Sequence, residues 1–131
     1  GQLITQSVLA QFLREGHLTS HIRRMRNLYA ERRLGLIEAI STRYGNAVDI
    51  VGEHAGLHLV LALPAYSDDH RITHEAFERG VVVRPLSNYY LKASSVKKGL
   101  LLGYAAVPIA EIPAAFNTLA EVIDAHLGGG A

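Results

Sequence analysis

The chain has 131 residues, a size that holds one domain and buries about two thirds of its unfolded surface. Hydrophobic residues make up 49% and charged residues 19%, which excludes an intrinsically disordered chain, and a formal net charge of +1 exerts no overall pull toward nucleic acid or membrane. The absence of cysteine excludes disulfides and thiolate metal sites.

No apolar run approaches the roughly 20 residues of a membrane span. The N-terminus has no basic start followed by an unbroken apolar stretch, so the reading is no signal peptide, no membrane contact and a cytoplasmic location.

In chain order, residues 3–15 set Leu3, Val8, Phe12 and Leu13 among polar residues and close on Gly16, a short helix with a glycine stop. Thr19 or Ser20 is the predicted N-cap of a longer helix reaching Tyr44. Its stripe is Ile22, Met25, Tyr29, Leu36 and Ile40, thickened by Leu28 and Ile37, and Gly45 and Asn46 end it.

The period then changes. Residues 48–51 read as a short strand and 52–56 as a turn. The near-continuous apolar run LHLVLAL, residues 57–63, predicts a strand covered on both faces, ended by Pro64. Ser67 or Asp68 caps a third helix whose Ile72, Ala76 and Phe77 face inward, and which stops at Gly80. Val81, Val82 and Val83 read as a strand, Pro85 begins a loop through Tyr90, residues 96–99 form a basic turn, and 100–107 a last strand. A final helix over residues 110–127 carries the stripe Ile112, Phe116, Leu119 and Ile123.

This order predicts an α+β fold, a small, largely antiparallel sheet packed with helices. Residues 1–16 read as a junction helix, 17–127 as the domain, and 128–131 as a flexible glycine tail. The apolar side of the junction helix has no local partner, which suggests a surface made to pack on something outside the chain.

Four stretches carry a family resemblance in order along the chain: EGHLTSHIRRMRNLYAERRLGLIEAI (15–40), AGLHLVLAL (55–63), GVVVRPLSNYY (80–90) and GLLLGYA (99–105). Together they resemble the C-terminal small domain of fold-type-I aminotransferase-like proteins. They look most like those of MocR-type regulators, which fuse a winged-helix DNA-binding domain of the GntR class to an aminotransferase-like domain. The resemblance implies pyridoxal phosphate in the full-length parent, bound through a lysine of the large domain.

Lys92, Lys97 and Lys98, the three lysines present, stand in a polar loop and none matches that position. No cofactor site is therefore expected in this fragment alone, which should be catalytically inert. The implied partners are the large domain, the winged helix, a small amine or amino-acid effector and a second copy of the chain, with DNA contacted only through the parent.

The resemblance also points to substrate-side residues. The loop 85–90 corresponds to a family loop near the substrate side of the cofactor, where Ser87 and Tyr89 would supply hydroxyls. Its plain alternative is a proline-containing surface turn. His58, after Gly56 and Leu57, lies at a step where such domains turn toward the cleft. Its alternation with apolar neighbours favours a hydrogen-bonded, partly buried core histidine. His54 and His58 flank a glycine in a turn and do not form a metal pair on a helix.

Many aminotransferases bind the substrate carboxylate through an arginine, in a pattern like R-L-S-Y-A. Here that position is Leu101, which cannot make that contact: either another arginine does so, with Arg84 the nearest candidate by resemblance, or the ligand is not a conventional α-amino acid. This departure favours a ligand-sensing regulator over a working transaminase. The alternatives are an aminotransferase small domain proper, or a free-standing α+β interaction module. Arg23, Arg24, Arg26, Arg32 and Arg33 spread over more than one helix face, with Glu31 and Glu38 as neighbours, and read as a solvated or interdomain surface rather than a phosphate-binding one.

Overall fold

A computed structural model of the chain describes residues 16–51, 57–89 and 98–128. The predicted junction helix, the 52–56 turn with His54, Tyr90, Lys92, Lys97 and the end of the tail lie outside the described residues. Helix α1 (His17–Tyr44) leads into strand β1 (Ile50–Val51) and strand β2 (His58–Ala62). Helix α2 (Asp69–Glu78) follows, then strand β3 (Arg84–Pro85), a 3-10 turn (Leu86–Asn88) and strand β4 (Gly99–Gly103). A second 3-10 turn (Ile109–Glu111) runs into helix α3 (Ile112–Leu127). The sheet has four strands in the order β1-β2-β4-β3, every neighbouring pair antiparallel. The architecture is the α+β sandwich that the mixed element order implies.

Several boundaries differ from the sequence reading, each for a local reason. Helix α1 starts before Thr19 and Ser20: Gly16 adopts φ 74°, and the Ser20 amide already bonds to the Gly16 carbonyl at 3.2 Å, so neither hydroxyl caps the helix. Only Leu36 and Ile40 of its stripe are fully buried, and Ile22 is exposed. At about 1.5 Å per residue the helix is about 42 Å long, and its N-terminal half extends beyond the core. Asp68 caps α2, its carboxylate accepting from the Arg71 amide at 3.1 Å.

Phe77 points outward, at 64% exposure. Ile72 and Ala76, four residues apart, define the buried face, and Phe77 stands a further 100° around the helix. The three valines form no strand. The chain leaves α2 through Gly80 at φ 86°, the Val81 amide bonds back to the Ala76 carbonyl, and pairing begins only at Arg84. Pro85 therefore sits within a strand rather than after one, as an edge position permits. Strand β4 stops at Gly103 because its partner β2 begins at His58, and the Tyr104 amide turns to the Leu57 carbonyl.

The run at 57–63 is covered on one face only. Leu59, Leu61, Leu100 and Leu102 join Ile40, Ile72, Phe116, Leu119 and Ile123 in a single core cluster. Among the described residues, the helices thus share one side of the sheet, and the opposite face, with His58 exposed and Val60 and Leu101 half-buried, is open. An apolar cavity of about 310 Å³ lies on the helix side, lined by Val81, Val83, Leu102, Phe116 and Leu119 among others.

Candidate functional site: the open face of the sheet

The pairing register fixes which side chains share the open face. Val60, Leu101 and Arg84 are successive cross-strand partners on β2, β4 and β3, and His58 is the partner of Gly103. Directly opposed residues point to the same side of a sheet, so Arg84 and His58 both belong to this face. Strand spacing and rise place their Cα atoms about 12 Å apart.

Arg84 is exposed, and its Nη1 donates to the Tyr89 hydroxyl at 3.3 Å. That hydrogen bond holds the guanidinium pKa above its ordinary value, and an arginine is charged throughout the physiological range. The structure therefore brings two of the four sequence-predicted residues into contact. His58 is exposed and is not the partly buried core histidine that the alternation favoured. The buried positions of β2 are Leu59 and Leu61, one residue out of phase with it. The imidazole lies against Gly103, where an added Cβ would stand in ordinary contact at 3.4 Å from His58 Cδ2.

Ser87 is engaged from below. Its hydroxyl donates to Asp69 Oδ1 at 2.6 Å, and its amide to Asp69 Oδ2 at 3.0 Å. The Gly99 amide donates to the same Oδ2 at 3.2 Å. Asp69 is 0% exposed. Burial alone pushes its carboxyl up, but the Ser87 hydroxyl, the two amides and the charge of Lys98 together hold it below the usual aspartate value. Sequence reasoning missed this residue. In the run Ser67-Asp68-Asp69 a capping role is the evident one, and nothing local marks the second aspartate as reaching residues 18 and 30 positions away.

Of the basic cluster on α1, Arg32 donates through Nη1 to the Ala105 carbonyl, so that side chain anchors the turn after β4. Arg23, Arg24 and Arg26 are exposed. Among the described residues, no group of three or more His, Asp or Glu could hold a metal ion, and no helix is long and apolar enough to cross a membrane.

A lysine that forms a Schiff base must be desolvated and free of a competing carboxylate. Lys98 is half-exposed and its charge acts on Asp69, so it does not fit that role.

No protein-family model matches the chain. It is 35% identical over 100 residues to an uncharacterized HTH-type transcriptional regulator, YhdI, of Bacillus subtilis, covering 76% of this chain and 21% of the relative. It is 31% identical over 129 residues to the probable rhizopine catabolism regulatory protein MocR of Rhizobium meliloti, covering 98% of this chain and 26% of the relative. Among solved structures, kynurenine aminotransferase of Pyrococcus horikoshii superposes with a TM-score of 0.73 at 26% identity, over 89% of this chain and 29% of that one. The chain thus spans about a quarter of the length of these relatives. Pyridoxal phosphate dependence is implied for these full-length aminotransferase relatives themselves. The fold and both sets of likenesses make the chain an aminotransferase-like small domain, homologous to part of the MocR/GntR-type HTH transcriptional regulators.

Proposed function

We propose that the chain forms one wall of an effector cleft in a regulator of this class, with the open sheet face turned toward a large domain that holds pyridoxal phosphate. When bound, that cofactor supplies an aldehyde that captures amines covalently. The effector is a small amine or amino acid, and its carboxylate pairs with Arg84. Tyr89 orients the guanidinium, His58 lines the far side of the face, and Ser87 fixes the loop between them. The observation that carries this reading is Arg84 itself, a permanently charged donor capable of bidentate pairing, steadied by Tyr89 on an open face that it shares with Val60, Leu101 and His58.

A ligand that binds the closed form better than the open one would shift the domain's position, and a dimeric parent would pass that shift to its DNA-binding part. The parent is placed in the cytoplasm by its proposed contact with DNA.

The test compares amino acids with amines of the same length that lack the carboxylate. The readout is the effector-dependent change in DNA affinity of the full-length regulator, with pyridoxal phosphate present. The wild type should respond to the amino acid at a concentration about tenfold or more below that of the matched amine, and Arg84→Ala should abolish the difference. An undiminished preference in Arg84→Ala removes the cleft role. The aminotransferase neighbours favour a second reading, an enzyme, which requires the same protein, given an amino-acid donor that becomes its own 2-oxo acid, to convert an added 2-oxo acid to its amino acid.

A further inference from the structure

We infer that Asp69 is the positioning residue of the Arg84–Tyr89 pair: its buried carboxylate ties the turn after β3 to the start of β4, and so sets where the guanidinium stands on the open face. The inference rests on the reading of Arg84 as a ligand-binding group, and it begins from a weakness in the sheet. Strand β3 is an edge strand of two residues, Arg84 and Pro85. Its ladder with β4 is two residue pairs, Arg84–Leu101 and Pro85–Leu100, a short footing for the register of Arg84.

Asp69 supplies the missing fastening from beneath. One carboxylate oxygen bridges the Ser87 and Gly99 amides at 3.0 and 3.2 Å, as a backbone carbonyl between two strand ends would. The other takes the Ser87 hydroxyl at 2.6 Å. Ser87 lies two residues before Tyr89 and Gly99 two residues before Leu101, so the clamp grips both strands next to the residues of the open face. Its own base is firm. Asp68 caps the helix, Thr73 donates to the Asp69 carbonyl at 2.7 Å, and Ile72 and Ala76 root the helix in the core. An acid in the first turn of a helix ordinarily stays in solvent, where the dipole alone favours it. Full burial with three charge-assisted bonds to distant residues is a different arrangement.

The experiment uses the 131-residue chain without ligand. Two quantities are followed by NMR: hydrogen exchange at the Ser87 and Gly99 amides, and the nuclear Overhauser contact between the Arg84 side chain and the Tyr89 ring. Asp69→Asn keeps one acceptor oxygen for the amides but removes the charge that strengthens all three bonds, so both amides should exchange about tenfold faster or more, and the Arg84–Tyr89 contact should weaken. Asp68→Ala weakens the same helix through its cap and should leave that contact intact, which separates positioning from general stability. Methyl shifts of Leu59 and Leu61 report the core. Where Asp69→Asn fails to fold, Ser87→Ala carries the test, removing one of the three bonds and weakening the contact. A folded variant of either kind with an unchanged Arg84–Tyr89 contact overturns the inference, as does equal loss in Asp68→Ala. Because no effector is used, a cleft reading that fails in the DNA-affinity assay leaves this result standing, and the reverse also holds.

Discussion

Arg84 and Leu101 are direct cross-strand partners on β3 and β4, their Cα atoms facing each other in antiparallel register. The resemblance to aminotransferases puts a carboxylate-binding arginine where Leu101 stands, and its absence there reads at first as a lost function. The register changes that argument. Opposed Cβ atoms are about 5 Å apart, less than the reach of an arginine side chain, so a guanidinium from either strand covers the same patch of the open face. On the proposed reading of Arg84, the charge is displaced by one strand and not deleted.

A swap of the two residues tests that equivalence. Arg84→Leu should lose the preference for amino acids over matched amines, and the double variant Arg84→Leu/Leu101→Arg should recover much of it. Leu101→Arg alone sets two guanidinium groups side by side and should lower the thermal midpoint by a few degrees, since like charges directly opposed across a sheet repel. A double variant that folds but stays as unresponsive as Arg84→Leu would show that the position of the charge matters beyond the shared patch.

Two glycines separate close backbone approach from a contact that relaxes. A Cβ built on Gly99 would lie 2.6 Å from the Leu61 carbonyl oxygen, with the adjoining Ala62 Cα also near, and neither backbone atom can retreat without breaking the β2–β4 ladder. Gly99→Ala should cost about 1–3 kcal/mol in urea unfolding. On Gly35 the same carbon would lie 2.6 Å from Ile109 Cδ1, the free end of a half-buried side chain. Rotation of Ile109 relieves that clash, and alanine gains about 1 kcal/mol of helix propensity, so Gly35→Ala should stay within about 1 kcal/mol of wild type. Equal losses in the two variants would refute the distinction.

The final helix was the most legible part of the chain: Ile112, Phe116, Leu119 and Ile123 are all buried at the spacing the sequence shows. Fold class, the antiparallel character of the sheet and the Asp68 cap were also readable, because each follows from local period or local chemistry. Phe77 and the three valines were not. Their hydrophobicity is real, but Phe77 lies past the face that Ile72 and Ala76 define, and the valines are held by a bond back to the helix before they reach a partner strand. The apolar run at 57–63 matches a doubly covered strand equally well, and it is the placement of the described helices on one side that leaves Val60 half-exposed. Of the candidate site, the loop carrying Ser87 and Tyr89 was visible by resemblance. The Asp69 clamp was not, because it is a relation between residues far apart in sequence.

The same carboxylates predict how stability depends on pH. Burial pushes Asp69 up, but its hydrogen bonds from Ser87 and Gly99 and the charge of Lys98 outweigh that and hold it below 3.8. Asp124 follows the same pattern: burial raises it, while Arg43 at 2.6 Å and the Tyr44 hydroxyl at 2.9 Å bring it below 3.8. The His126 ring at 2.6 Å is the main cause of a lowered Glu75, whose ordinary value is 4.5. A folded pKa below the unfolded one means that the unfolded chain binds protons first as pH falls. The stabilisation is therefore complete above the unfolded values of 3.8 and 4.5 and is lost as pH drops through the lower folded values. The urea midpoint should decline steeply between about pH 5 and pH 3 through these groups. Asp69→Asn, which cannot titrate, should start lower and decline less over that interval. Parallel lines for the two proteins would mean that the buried carboxylate contributes nothing to acid unfolding.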